Sequence, residues 1–285
     1  MKSIISSTGE YLLGLSSSTE HNLNTPTQFP LYSIIYIKEG SGYYHADFGI
    51  FPYQGPALLF STPLQVIQLA QDDNTPFSIL QFHSDFYCIE YHREEVSCNG
   101  LLFNNIYLQP TLSLSPSEVQ TFEQLISQLE SEFSQEKPSE IVLRAYIQLL
   151  LAKSSSIKLK VLASPEEQSK KDAVMEQFRL LIDQHYLTLH KPSDYADLLA
   201  MPANTLTKRC TRYFSKTPTQ LIQQRLILEA KKQLHLTRKS IKEIAYALQF
   251  QDEFYFSRVF KKCTNVSPQA FRDQTGISIV ADLSK

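Results

Sequence analysis

Residues 240–262, SIKEIAYALQFQDEFYFSRVFKK, gather the side chains that can recognise a polyanion. Ser240 and Glu243 stand at capping-box spacing, and Ile241, Ile244, Ala245 and Leu248 form an apolar stripe on a short helix. A tight turn through Gln249 and Phe250 must then start a second helix, in which Phe256 and Phe260 repeat at i, i+4 and face inward. Glu253, Phe254, Ser257, Arg258, Lys261 and Lys262 are left on the other faces. A core stripe backed by a polar and basic surface is the pattern of a helix that presses into a DNA groove.

Residues 193–214 repeat the layout more loosely. Tyr195, Ala196, Leu198 and Leu199 belong to a short helix, MPAN is a turn, and Leu206 and Cys210 form the inward stripe of a second helix. Its outward residues are Asn204, Thr205, Thr207, Lys208, Thr211 and Arg212. Leu206 and Phe256 are 50 residues apart, with a helix over about 218–236 between the two units. That helix would be roughly 28 Å long at ~1.5 Å per residue, close to the ~34 Å between successive major-groove segments on one face of DNA.

The elements that hold these residues follow from periodicity and punctuation. From residue 171 the pattern is helical throughout, with helices expected near 172–187, 193–200, 203–213, 218–236, 241–248, 253–263 and 268–274. Pro192, Pro202, Pro218 and Pro268 fall where a first turn tolerates them. Upstream, residues 29–83 alternate β-branched and aromatic runs (YSIIYI, GYYHADF, ALLFS, VIQLA, FSILQFH) with Gly, Pro and Asp, as in an antiparallel sandwich or small barrel. After Ser115 and Pro116 the spacing of Phe122, Leu125, Leu129 and Phe133 turns helical. A second helix, PSEIVLRAYIQLLLAKS, is apolar on more than one face through Leu143, Ile147, Leu150 and Leu151. That surplus suits a dimer seam or packing onto the sheet. Residues 154–170, rich in Ser and charge, read as a linker.

Charge follows the same division. Residues 1–167 hold 8 basic and 18 acidic residues, a net −10, whereas residues 168–285 hold 19 and 11, a net +8. A basic segment attracts phosphate through counterion release, and an acidic one is repelled by it. No run approaches the ~20 apolar residues of a membrane helix, Glu10 interrupts the N-terminal apolar stretch, and the chain reads as cytoplasmic and without a membrane partner. Cys88, Cys98, Cys210 and Cys263 are too scattered for a disulfide framework. His83, Cys88, His92 and Cys98 fall close together. With residues 85–96 helical, Cys88 and His92 share a face and the four could hold a tetrahedral Zn²⁺, although the spacing fits no standard zinc motif and a buried thiol with a solvated histidine accounts for the same residues. No other cofactor is expected. No triad, phosphate loop or paired carboxylates mark the C-terminal half as catalytic.

The strings IKEIAYALQFQDEFYFSRVFKKCTNVSPQAFR and LIQQRLILEAKKQLHLTRKS resemble, in order, the DNA-binding domain of AraC/XylS-type transcription regulators, over about residues 171–275. The resemblance implies base contacts from Asn204, Thr207 and Lys208 in the first recognition helix and from Glu253, Phe254, Ser257 and Arg258 in the second. It assigns Arg212, Lys261 and Lys262 to phosphates, contacts that fix register without reading sequence. Two positions depart from the family's pattern: Gln249 and Asn265 stand where it has glycine. Asn tolerates a left-handed conformation, whereas Gln249 at positive φ would be strained by roughly 1 kcal/mol.

The N-terminal half resembles, with less specific motifs, the cupin-like effector-sensing domains that precede this module. A metal-using cupin enzyme would show His-x-His and a following Glu; the comparable segment here, Gly42–Asp47, has the single His45. The remaining use of such a barrel is to enclose a small ligand, with Tyr36, Tyr44, His45 and Phe60 as candidate wall residues, each of which could equally be core. The expected fold is a two-domain α+β chain: a cupin-like antiparallel β-barrel over 1–115, a helical pair over 116–153 that dimerises, a linker over 154–170, and an all-α double helix-turn-helix over 171–275. The expected function is non-enzymatic, an effector-controlled regulator acting on double-stranded DNA as a homodimer, with RNA polymerase as a further partner. The alternatives are a cupin-type metalloenzyme tethered to nucleic acid and an architectural DNA binder without an effector.

Overall fold

The computed structural model describes residues 2–6, 9–71, 75–87 and 100–277. The chain divides into two compact units: Met1–Ala46, Ile50–Asn105 and Pro110–Val161 form the first, and Asp47–Gly49, Ile106–Gln109 and Leu162–Lys285 the second. No helix among the described residues is long and apolar enough to cross a membrane.

The strands are β1 (Lys2–Ile5), β2 (Tyr11–Ser17), β3 (Tyr32–Ile37), β4 (Ser41–Ala46), β5 (Gly49–Gln54), β6 (Ala57–Ser61), β7 (Ile67–Gln71), β8 (Phe77–Phe82) and β9 (Thr111–Ser113). They make a six-stranded sheet in the order β1-β2-β8-β3-β6-β9 and a three-stranded sheet in the order β5-β4-β7. This corrects the expectation of a closed barrel, because no strand pair among the described residues joins one sheet to the other. The larger sheet ends instead in short edges of four and three residues, one way an open sheet limits unpaired backbone.

All six residues of β3 are buried because both faces of its sheet are covered. Tyr32, Ile34 and Tyr36 pack with Leu13, Leu15, Phe60, Leu80 and the helices α1 (Pro116–Phe133) and α2 (Glu140–Ala163). Ile35 and Ile37 pack with Tyr44, Phe51, Tyr53, Ile67 and Leu69 of the smaller sheet. β5, by contrast, alternates buried and exposed positions, as a strand with one wet face does.

α1 begins at a capping box in which the Ser115 amide donates to Glu118 Oε2 at 2.7 Å, and it buries Phe122, Leu125, Leu129 and Phe133. On α2, Leu143, Ile147, Leu150 and Leu151 are fully covered by α1 and the larger sheet, so the apolar surplus is spent inside the unit and these four residues are not a dimer seam. Residues 154–163 are likewise not a loop: they are the last turns of α2, followed by α3 (Pro165–Ser169). Ser154 buries because its Oγ donates to the Leu150 carbonyl one turn back at 2.8 Å. Lys158 buries its stem while Nζ donates to the Thr111 carbonyl at 2.7 Å.

The second unit is helical: α4 (Ala173–His185), α5 (Pro192–Leu198), α6 (Ala203–Phe214), α7 (Pro218–Leu236), α8 (Ile241–Ala247), α9 (Glu253–Thr264) and α10 (Pro268–Thr275). Their ends lie within two residues of those read from the sequence. The reason is that capping side chains and prolines mark the starts: Asp172, Thr217, Ser240, Asp252 and Ser267 each accept a first-turn amide.

Candidate nucleic-acid interface

Two helix-turn-helix units stand in the same register. α6 and α9 are both twelve residues long and start 50 residues apart, and α7 and α10 start 50 apart as well. Leu206, Cys210 and Phe214 line the buried side of α6, and Phe256, Phe260 and Thr264 occupy the matching positions of α9. Both helices end on a left-handed residue, Ser215 with φ 57° and Asn265 with φ 63°.

The tight turns also match. After α5, the Met201 amide donates to the Ala196 carbonyl and the Ala200 amide to the Asp197 carbonyl, both at 3.0 Å. After α8, Phe250 donates to Ala245 and Gln249 to Tyr246, again both at 3.0 Å. This is the Schellman pattern, which needs a left-handed residue at its centre. Ala200 at φ 49° and Gln249 at φ 62° supply it without glycine. The second turn therefore keeps the ordinary shape and carries the strain expected of Gln249.

With those turns closed, each second helix buries one side and exposes the other. On α6 the exposed residues are Ala203, Asn204, Thr205, Thr207, Lys208, Thr211 and Arg212; on α9 they are Phe254, Tyr255, Arg258, Lys261 and Lys262. Glu253 and Ser257 are half-buried on the flank of α9, which makes them less accessible than the sequence pattern implied. At 100° per residue, Lys208 and Arg258 point directly away from the buried stripes, with Asn204 and Phe254 one turn before them. The Arg258 guanidinium lies 5.9 Å from the Tyr255 ring centre at the outer surface.

Arg209 does not join that surface, a distinction the periodicity alone did not make. It forms a two-pronged pair with Asp172, Nε to Oδ2 at 3.1 Å and Nη2 to Oδ1 at 2.6 Å. The same carboxylate caps α4, accepting from the Val174 and Met175 amides at 3.0 and 3.3 Å. Burial alone would raise the Asp172 pKa, but the Arg209 hydrogen bond, the capping amides and the Arg209 charge together hold it below the ordinary carboxylate value. Burial pushes the Cys210 thiol up to about 12.

α7 connects the two units. Its first half gives Leu221 and Ile222 to the core around Phe178, Tyr195 and Leu206. Arg225, at mid-helix, pairs with Asp183 of α4 at 2.9 Å and lies 3.9 Å over the Tyr186 ring. At the far end the Leu234 carbonyl accepts from Arg272 Nε at 3.1 Å, and His235 Nδ1 donates to the Gly276 carbonyl at 2.9 Å. A chain of edge-on and tilted rings, Phe250, Phe256, Phe260 and Phe271, fills the second core at centroid spacings of 5.2, 5.9 and 5.7 Å.

In the first unit the four candidate effector residues do not share one wall. Tyr36 and Phe60 lie in the helix-side core. Tyr44 lies in the core between the sheets, where its hydroxyl donates to the Phe60 carbonyl at 3.1 Å. His45 is half-buried on the opposite face of β4. What the sequence reading missed is a polar row between the sheets. Gly14, Gln81, Ser33 and Ser61 stand opposite one another across β2, β8, β3 and β6, all on the face that carries Ile35 and Ile79. Gln81 Nε2 donates to Ser33 Oγ at 3.2 Å, and Ser16 Oγ, on the same face and buried, has no hydrogen-bond partner among the described residues. Of the candidate metal ligands, Cys88, His92 and Cys98 lie outside the described residues. His83 is half-buried, and its Nδ1 accepts from the Asp85 amide at 3.2 Å.

Residues 195–274 match a family of helix-turn-helix domains. The HTH-type transcriptional activator RhaS of Pectobacterium carotovorum is 32% identical over 79 residues, 28% of this chain and 28% of its own length. The arabinose operon regulatory protein of Salmonella typhimurium is 26% identical over 182 residues, 64% of this chain and 62% of its own length. The chain thus spans less than two thirds of the curated relatives it matches. Among solved structures, ToxT of Vibrio cholerae with a bound unsaturated fatty acid aligns with a TM-score of 0.41 at 18% identity, over 94% of this chain and 96% of that one.

Proposed function

We propose that this chain, whose residues 195–274 form a helix-turn-helix domain of the AraC type, is a sequence-specific transcription regulator of the cytoplasm, controlled by a small molecule bound in its first unit. The observation that carries the reading is the paired register of α6 and α9: two helices of equal length, each presenting a polar and cationic face from a buried stripe at matching positions. Asn204, Thr207, Lys208, Glu253, Phe254, Ser257 and Arg258 are the base-reading set, with Phe254 and Arg258 most exposed in the second helix. Arg212, Lys261 and Lys262 hold phosphates, which give affinity and register without sequence information. The names of the relatives, a transcriptional activator and an operon regulator, support the same assignment.

The effector is assigned to the polar row of Gln81, Ser33 and Ser61 with the unpartnered Ser16 hydroxyl. A buried hydroxyl without a partner is costly unless something in the working state satisfies it. Such a ligand would act by binding DNA-competent and DNA-incompetent arrangements with different affinity. A second copy of the chain is assigned to the outer face of α2. Ile141 and Leu159, 18 residues or five full turns apart, are 77% and 50% exposed there. RNA polymerase is a further partner in this reading, whether transcription rises or falls.

The test is a salt series of fluorescence-anisotropy titrations of the full chain on its own upstream DNA and on a scrambled duplex. Tighter binding to the upstream DNA, with a steep salt slope on both, supports a sequence-reading regulator. No binding to either at low salt removes the assignment. Arg258→Ala should weaken specific binding by roughly 1–3 kcal/mol and relax one position, while Lys261→Ala should weaken all duplexes about equally.

A further inference from the structure

Phe254 is 73% exposed, at the second position of a recognition helix whose neighbouring outward positions hold Arg258, Lys261 and Lys262. A phenylalanine ring standing in water adds nothing to the fold: it lies opposite the Phe256 and Phe260 stripe that holds α9 in place, with Asp252 and Glu253 before it, Arg258 one turn on and Lys261 and Lys262 further along the helix. With this face assigned to DNA, the question is what apolar group on the duplex the ring can meet. In the major groove of DNA that group is the C5 methyl of thymine; adenine, guanine and cytosine show only donors and acceptors at their edges.

We propose that Phe254 reads a thymine methyl and that Arg258, one turn later, reads the O6/N7 edge of a guanine beside it, so that the second half of the operator contains a thymine–guanine pair of contacts. This rests on the DNA-reading assignment above and deepens it. Four residues of helix rise about 6 Å, the span of one to two base-pair steps at ~3.4 Å each, so the two contacts fall on neighbouring bases. Arg258 is exposed and carries no ion pair among the described residues, with its guanidinium 5.9 Å from the Tyr255 ring centre, and a planar guanidinium is the group that makes a two-pronged guanine contact. At the matching positions of α6 stand Asn204 and Lys208, which offer hydrogen bonds and charge and no apolar surface. Thr207 of α6 also carries a methyl, so the methyl penalty that marks the second half is the one that depends on Phe254.

The experiment uses the full chain and duplexes recovered by repeated selection from a randomised pool. In an enriched duplex each thymine is replaced in turn by deoxyuridine, which removes only the methyl, and each guanine by 7-deazaguanine, which removes N7. Affinities are measured by anisotropy for the native chain, Phe254→Ala, Phe254→Leu and Arg258→Ala. Loss of one methyl contact, about 0.8 kcal/mol, is a loss of about fourfold. The expected result is a fourfold loss for the native chain at one thymine of one half-site, a similar loss for Phe254→Leu, and none for Phe254→Ala. The N7 effect at a guanine within two steps should disappear in Arg258→Ala. Equal methyl penalties in the native chain and Phe254→Ala at every thymine overturn the proposal while leaving sequence-specific binding intact. A pool with no enriched duplex overturns the DNA-reading assignment itself, and this inference with it.

Discussion

Replacing Gln249 by glycine should stabilise the second unit. Gln249 is exposed, so its side chain has no packing to lose, and its backbone sits at φ 62° in the turn between α8 and α9. A left-handed conformation costs a non-glycine residue roughly 1–2 kcal/mol, and glycine removes that cost. Against it stands the greater freedom of glycine in the unfolded chain, worth about 0.4–1 kcal/mol. The difference leaves a net gain centred on about 0.8 kcal/mol, within a range of about 0 to 1.6, with both Schellman hydrogen bonds kept. Gln249→Ala is the control, because alanine retains the Cβ and therefore the strain; it should lie within about 0.3 kcal/mol of the native chain. Ala200→Gly, at φ 49° in the matching turn, should give a similar gain, and the two should add because they share no partner. The two units of the chain need not unfold together, so a single melting curve is a poor measure. Native-state hydrogen exchange of the α8 and α9 amides reads the local free energy directly. Lower protection in Gln249→Gly, or equal protection in the glycine and alanine variants, would show that left-handed strain is not stored at this turn.

The Asp172 carboxyl, held below its ordinary value of 3.8 in the folded chain, contributes stability that is complete above about pH 4 and is lost as pH falls through the lower folded value. Melting of the second unit between pH 2 and 6 should therefore be flatter in Asp172→Asn than in the native chain. Cys210, buried and with its thiol pushed up to about 12, should resist iodoacetamide at pH 8 in the native chain and react only on unfolding, as mass spectrometry of the alkylated peptides would show. Ile141→Glu, on the exposed line of α2, should shift sedimentation from dimer toward monomer while leaving helix content unchanged; an unaltered dimer would move the interface elsewhere.

The helices of the second unit were legible because three signals agree there: apolar residues at helical spacing, prolines in first turns, and Asp, Ser or Thr at the starts. The outward residues of α6 and α9 followed from the same periodicity. Arg209 shows where that reading stops, since its partner Asp172 lies 37 residues away and only the folded chain brings them together. In the first unit, strands such as β3 were recognisable as strands, yet burial on both faces erases the alternation that tells one face from the other. Tyr36 and Tyr44 could therefore be grouped on one wall although they face different cores. Residues 154–163 were misread because serine and lysine signal solvent. Serine can return its hydroxyl to the helix, and lysine can carry its charge to a carbonyl, and both occur there.

The anchoring of α7 at both ends has a consequence for promoter architecture. Since Leu221 and Ile222 are locked into one reading head and Leu234 and His235 into the other, the phase between the heads is counted out in residues of one helix. Adding a single residue would turn the second head by 100° and advance it by ~1.5 Å, whereas DNA advances its groove in steps of ~3.4 Å with a turn every 10–10.5 base pairs. One, two or three added residues turn the head by about 100°, 200° or 300°, far out of step with the groove over the same rise. Operator spacing can therefore drift only where α7 is kept at its length, and a promoter whose half-sites move by half a turn escapes this regulator altogether, however well each half is preserved.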